Sequence, residues 1–67
     1  MKLFVIRLED GNYLMNVVIG SHYLRYDRTR DRGAAHLLND FDSQLMLKRL
    51  RNEGEKNAQR EDGSEGS

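Results

Sequence analysis

The chain contains no cysteine, so disulfides and thiolate metal sites are excluded and the redox compartment stays open. Its two histidines, His22 and His36, are too few to hold a metal without carboxylate help. No apolar run approaches the ~20 residues of a membrane span. KLFVI near the start is too short for a signal-peptide core, and polar RLEDGN follows at once. These absences lead us to expect a soluble, cytoplasmic protein. Nucleophile-elbow, P-loop and zinc signatures are also missing, so neither an enzyme nor a cofactor is expected. Ser21 belongs in a turn and Ser43 at a helix cap. Asp40 and Asp42, two residues apart, suit a helix terminus better than an acid–base pair. His22 ends a strand, and His36 sits at the boundary of a helix.

A chain of 67 residues buries a limited fraction of its surface. Without disulfides or metal, oligomerisation is the remaining aid to stability, and a homodimer is expected. The formal charge is zero but unevenly divided. Residues 1–52 carry nine Lys/Arg against six Asp/Glu, whereas residues 53–67 carry two against five. Ala58 is the one apolar residue of EGEKNAQREDGSEGS, so residues 53–67 read as a disordered acidic tail behind a single domain of residues 1–52.

The fold class expected is α+β, a three-stranded antiparallel meander covered by one or two C-terminal helices. Asp10-Gly11 between apolar runs signals a type I′ hairpin, and Gly20-Ser21 suits a type II′ turn. The first turn pairs Leu8 with Tyr13 and Ile6 with Met15. The second pairs Val17 with Leu24 and Met15 with Tyr26. Both registers nominate one apolar face, from Phe4, Ile6 and Leu8 through Tyr13, Met15, Val17 and Ile19 to His22, Leu24 and Tyr26. Ala34, Leu37, Leu38 and Phe41 follow helical spacing, with Asp31 as a candidate N-cap. Beyond Phe41 the pattern shifts, because Met46 and Leu50 fall nearly opposite the earlier stripe. Either the helix breaks near Asp40–Asp42 and restarts at an Asp42 or Ser43 cap, with a Phe41–Met46 staple, or one long helix carries a second patch. Gly54 is a plausible stop.

FVIRLEDGNYL, a second hairpin and then AAHLLNDF resemble small uncharacterised proteins of bacteriophages and prophages, over roughly residues 2 to 47. The resemblance implies an accessory role and transfers no site residue.

Two features suggest partners. The opposite sheet face is apolar at one end, and with the second half of the helix it offers a protein interface of Leu3, Val5, Leu14, Val18, Tyr23, Met46 and Leu50, for self-association or for a host or phage protein. The stretch RYDRTRDRG carries Arg25, Arg28, Arg30 and Arg32, which in an extended chain could contact successive phosphates of a nucleic acid. Asp27 and Asp31 interleave with these arginines, so a solvated joint is the plainer expectation. A protein-interaction module comes first and nucleic-acid binding second.

Overall fold

The computed structural model describes residues 2–63. Strands β1 (Phe4–Arg7), β2 (Tyr13–Ile19) and β3 (Leu24–Thr29) come first, then a 3-10 turn (Arg32–Ala34), helix α1 (Asp40–Asn52) and strand β4 (Gln59–Asp62). The four strands form one antiparallel sheet in the order β3-β2-β1-β4. The α+β class and the meander are as expected, with a fourth strand added. No helix among the described residues is long and apolar enough to cross a membrane.

The first hairpin turns one residue earlier than its Asp-Gly pair suggests. Leu8 and Asn12 close the loop (Leu8 N–H to Asn12 O, 2.7 Å), and Gly11 N–H donates to Leu8 O at 3.0 Å. Gly11 alone takes the left-handed conformation here, at φ 90°. A type I′ turn needs positive φ at Asp10 as well. Asp10 instead uses its carboxylate to accept from the Asn12 N–H (3.0 Å) and side-chain amide (3.2 Å). The result is a three-residue loop ending in a left-handed glycine. Arg7, not Leu8, therefore pairs with Tyr13.

A second irregularity follows within β2. Met15 pairs with Asp27 and Val18 with Arg25, so one extra residue is accommodated on β2. Asn16 makes this bulge at φ 50°, a conformation asparagine tolerates, and its amide donates to Asp27 Oδ2 at 3.2 Å. Leu14 and Val17 thereby come to the same face. The second hairpin also closes one residue late, on Gly20 and Tyr23 (N–H to O, 2.9 Å), around Ser21 and His22. The Tyr23 ring packs against Gly20, where a Cβ would lie 2.1 Å from it and would displace the ring. The face turned to α1 is thus Ile6, Leu8, Leu14, Val17, Leu24 and Tyr26. Tyr13 and Met15, expected on it, lie on the other side.

β1 and β2 diverge after Arg7–Tyr13, and the chain beyond the 3-10 turn fills the gap. His36 N–H donates to Leu14 O (2.9 Å), while Phe4 and Leu38 exchange both main-chain bonds at 2.7 and 2.9 Å. The expected helix from Ala34 to Phe41 is therefore absent. Asp31 does cap a turn, through Gly33 N–H, but that turn lasts three residues and buries no side chain. An extended path instead satisfies the open backbone groups of Phe4 and Leu14 and delivers Leu38 to the core.

The helix starts at Asn39, whose side chain accepts from Asp42 N–H at 2.7 Å. This is the restart expected near Asp40–Asp42, with a different cap. Ser43 is buried and is not a cap, and Phe41 is exposed, so no Phe41–Met46 staple forms. Ser43, Met46, Leu47 and Leu50 make the buried stripe at i, i+3, i+4 and i+7. Gly54, at φ 116°, ends the helix, with Glu55 N–H reaching back to Leu50 O at 2.9 Å.

Residues 53–63 are ordered, which corrects the expectation of a disordered tail from Glu53 onward; residues 64–67 lie outside the described residues. Ala58 is fully buried in the core, and β4 pairs with β1 from Phe4–Asp62 to Arg7–Gln59. A strand this polar holds because its side chains meet opposite charge. Arg7 Nε pairs with Glu61 at 2.8 Å, and Arg60 stacks on Phe4 at 4.3 Å while pairing with Asp40. Counting apolar residues misses it, since main-chain pairing and ion pairs leave no hydrophobic trace in the sequence.

Candidate interaction surface

The residues nominated as an interface fall into two groups. Val5, Leu14, Met46 and Leu50 are buried within the chain and present no surface. The register slip turns Leu14 inward, and α1 packs Met46 and Leu50 on the sheet. Leu3 is partly covered. Val18 and Tyr23 are half-exposed, but Val18 sits opposite Arg25, so Val18 and Tyr23 are not cross-strand neighbours.

The exposed apolar surface lies elsewhere. α1 points Phe41 (69% exposed) and Leu45 (49%) away from the core, and Ile19 (56%) projects from the end of β2. Between the hairpin tip and α1 runs an apolar groove of about 400 Å³. Ile19, Leu38, Leu45 and Met46 form its walls, and His36, Asp42 and Arg49 stand at its rim. Arg49 ties the two sides together by donating to Tyr23 O at 3.3 Å. The sequence pattern places Phe41, Leu45 and Ile19 inside. The exposure of Phe41 and Leu45 is detectable in one signal, the phase of the helix: a start at Asn39 makes Ser43–Met46–Leu47–Leu50 the inner stripe and leaves Phe41–Leu45 outside.

The arginines of RYDRTRDRG do not act together. Arg28 binds two carboxylates, Asp10 and Glu55 (2.9 Å to Glu55 Oε2). Arg32 reaches the Asp62 carbonyl and lies 3.9 Å from Glu61. Arg25 and Arg30 remain exposed. Arg28 belongs to a polar hub around the nearly buried Glu55. That carboxylate accepts from Tyr26 Oη (2.8 Å), Glu9 N–H (3.1 Å) and Arg28, and so joins the first hairpin, β3 and the loop after α1. Burial pushes the Glu55 pKa up, but Tyr26, the Glu9 N–H and Arg28 together outweigh it and hold the group below its ordinary value. Asp10 is likewise held low, by the Asn12 N–H and then Arg28. All these groups are satisfied within the chain, which gives the hub a structural role.

The side chains considered for catalysis are dispersed. Ser43 Oγ donates to Asp40 O (2.8 Å) and accepts from Arg60 (3.1 Å). Asp40 pairs with Arg60, and that contact holds its pKa low. His22 lies in a turn and His36 on the groove rim, both exposed. Among the described residues no three His, Asp or Glu side chains group as metal ligands. Comparison with protein-family models, with curated proteins and with solved structures yields no match.

Proposed function

We propose that this chain is a non-enzymatic protein-interaction module that docks through the outer stripe of α1 and the neighbouring hairpin tip, and that it self-associates there. The observation that carries the reading is the groove. Ile19 and Leu45, each about half exposed, line one apolar cleft on a chain with little core to spare, and Phe41 is exposed one turn away on α1. Clustered apolar surface of this kind marks protein contacts. By the resemblance of residues 2 to 47, its setting is accessory phage or mobile-element biology in a bacterial cytoplasm, where a host or phage protein is the other candidate partner.

Sedimentation velocity over a concentration series tests the reading. The wild type is expected to shift toward dimer mass, and Leu45→Glu to stay monomeric with an unchanged circular dichroism spectrum. Dimerisation that survives Leu45→Glu would remove this face from consideration. Nucleic-acid binding is the weaker reading, because it rests chiefly on Arg25 and Arg30. Two cations give a shallow salt dependence, of about −2 in log K against log salt on duplex DNA.

A further inference from the structure

We propose that the outer edge of β3 docks an extended segment of a partner protein, added antiparallel to the sheet. That segment reads basic, any residue, acidic, so that its basic residue faces Asp27 and its acidic residue faces Arg25. The two edges of the sheet differ. At the β4 edge, Gly63 N–H bonds to Leu3 O, so Glu61 and Gln59 turn their main-chain groups to β1, and Ala58 and Asp62 turn their carbonyls outward. Those carbonyls are already taken, Ala58 O by Arg51 (2.9 Å) and Asp62 O by Arg32. The orientation of β3 follows from β2. Leu14 O accepts from His36 N–H and so points away from β3, which turns Tyr13 and Met15 toward it. Their partners Thr29 and Asp27 therefore bond inward, and Leu24, Tyr26 and Arg28 hold their N–H and C=O groups outward. No bond from another element reaches those main-chain groups among the described residues. The bulge lies on β2, so β3 itself runs unbroken from Leu24 to Thr29. Such an edge is a template for another strand.

The side chains along this edge define what the partner carries. Arg25 and Asp27 stand two apart on the face turned from α1, and both are exposed. Asp27 accepts from the Asn16 amide, and neither residue forms an ion pair among the described residues. An open cleft of about 650 Å³ follows the same stretch, lined by Asn16, Val18, Leu24, Arg25, Tyr26 and Asp27. Because Arg25 and Asp27 bond inward, an added strand meets them at non-hydrogen-bonded positions, where facing side chains come closest. A basic residue opposite Asp27 and, two residues later, an acidic one opposite Arg25 pair both charges. β3 itself reads Arg-Tyr-Asp and fits the pattern about a two-fold axis at Tyr26. On the α1 side, however, Glu55 and its loop stand against Tyr26 (2.8 Å) and Arg28 (2.9 Å). Self-pairing would crowd two such loops over strands ~4.8 Å apart, whereas a lone extended segment brings no such bulk. The edge is separate from the outer stripe of α1, so this contact stands whether or not the chain self-associates there.

Two fluorescent peptides test this on the full-length protein by anisotropy. Thr-Val-Lys-Val-Glu-Val-Thr carries the pattern, and Thr-Val-Glu-Val-Lys-Val-Thr reverses it. The first is expected to bind roughly tenfold tighter, since two facing pairs turn from attraction to repulsion in the second. A variant combining Arg25→Asp with Asp27→Arg should invert that preference. Both positions are exposed, so the variant should fold, which circular dichroism checks. Amide hydrogen exchange at Leu24, Tyr26 and Arg28 of the wild type should slow when the first peptide binds. Equal affinity for the two peptides would overturn the charge pattern. Tighter binding of the second peptide by the wild type would overturn the antiparallel direction, because a parallel strand needs the charges in the opposite order. No binding of either peptide at millimolar concentration would overturn the edge as a docking site. Slowing of the same amides as protein concentration alone is raised would overturn the foreign partner and assign the edge to a second copy.

Discussion

The two ends of this sheet invert the usual relation between composition and burial. At the β4 edge the segment after Gly54 is almost wholly polar, yet Ala58 is sealed and Glu55 nearly so, and Arg60 and Glu61 find partners. At the β2–β3 tip and the adjoining face of α1 the chain is rich in large apolar groups, yet Ile19, Phe41 and Leu45 face solvent. What decides order at a given place is whether a segment's backbone and charges find complements, not how greasy the segment is. The polar edge is complete within one chain. The apolar tip is not, and for that reason function is sought there.

The largest expected effect breaks the polar edge. Ala58 packs among the core residues with no exposed surface. Ala58→Asp buries a carboxylate with no arranged partner, at a cost of about 3–5 kcal/mol, comparable to the whole stability of a domain this small. Thermal denaturation followed by circular dichroism should lose its cooperative transition. If the transition survives within a few degrees of wild type, the region after Gly54 is not integral to the fold. A charge at the apolar end is expected to be tolerated, as the Leu45→Glu measurement will show.

A smaller effect sharpens the comparison by titrating the hub. The Glu55 carboxylate has its folded-state pKa lowered, against an ordinary value near 4.3 when unfolded. The stability it contributes is therefore fully present above the unfolded value and is lost as pH falls through the folded one. Asp10 and Asp40 shift in the same direction, through the Asn12 N–H with Arg28 and through Arg60. The urea midpoint should fall as pH drops from about 5 toward 2, in the window the carboxylate values define. Glu55→Gln should lower it at pH 7 by the equivalent of about 1–3 kcal/mol and flatten the fall. A variant with the same acid slope as wild type would show that the hub is not what acid releases.

Much of the fold was legible, partly because two departures offset each other. The hairpin at Asp10–Gly11 closes one residue early, which should flip β2 relative to β1. The bulge at Asn16 inserts one residue, which flips it back. Ile6 and Leu8 therefore share a face with Val17, Leu24 and Tyr26, as the pattern indicates, and only Tyr13–Met15 is inverted. Neither device has a loud signature. A left-handed Gly11 serves a three-residue loop as well as a type I′ turn, and Asn16 looks like any polar strand residue. The sequence pattern starts the helix too early for a related reason. Ala34, Leu37, Leu38 and Phe41 have helical spacing, but the gap between β1 and β2 exerts a tertiary demand on Leu38 that local pattern cannot carry. The candidate site inherited that error, since the phase of α1 decides whether Met46 or Leu45 meets solvent.

The smallest effect concerns the apolar tip alone. Ile19 is more than half exposed and touches the groove, and Val18 beside it is half exposed on the face turned from α1. Substitutions at such positions normally stay within about ±0.5 kcal/mol. Ile19→Thr and Val18→Thr keep β-branching and strand preference, so both should leave urea midpoints unchanged when measured dilute. They should differ in assembly. Ile19→Thr removes a groove wall and should weaken self-association, whereas Val18→Thr alters the other face and should not. Equal effects of the two on sedimentation would mean that the hairpin tip contributes general greasiness rather than one side of a cleft. A loss of fold stability at Ile19 larger than at Val18, with no change in assembly, would mean that Ile19 is a core residue in solution and that the groove is closed there.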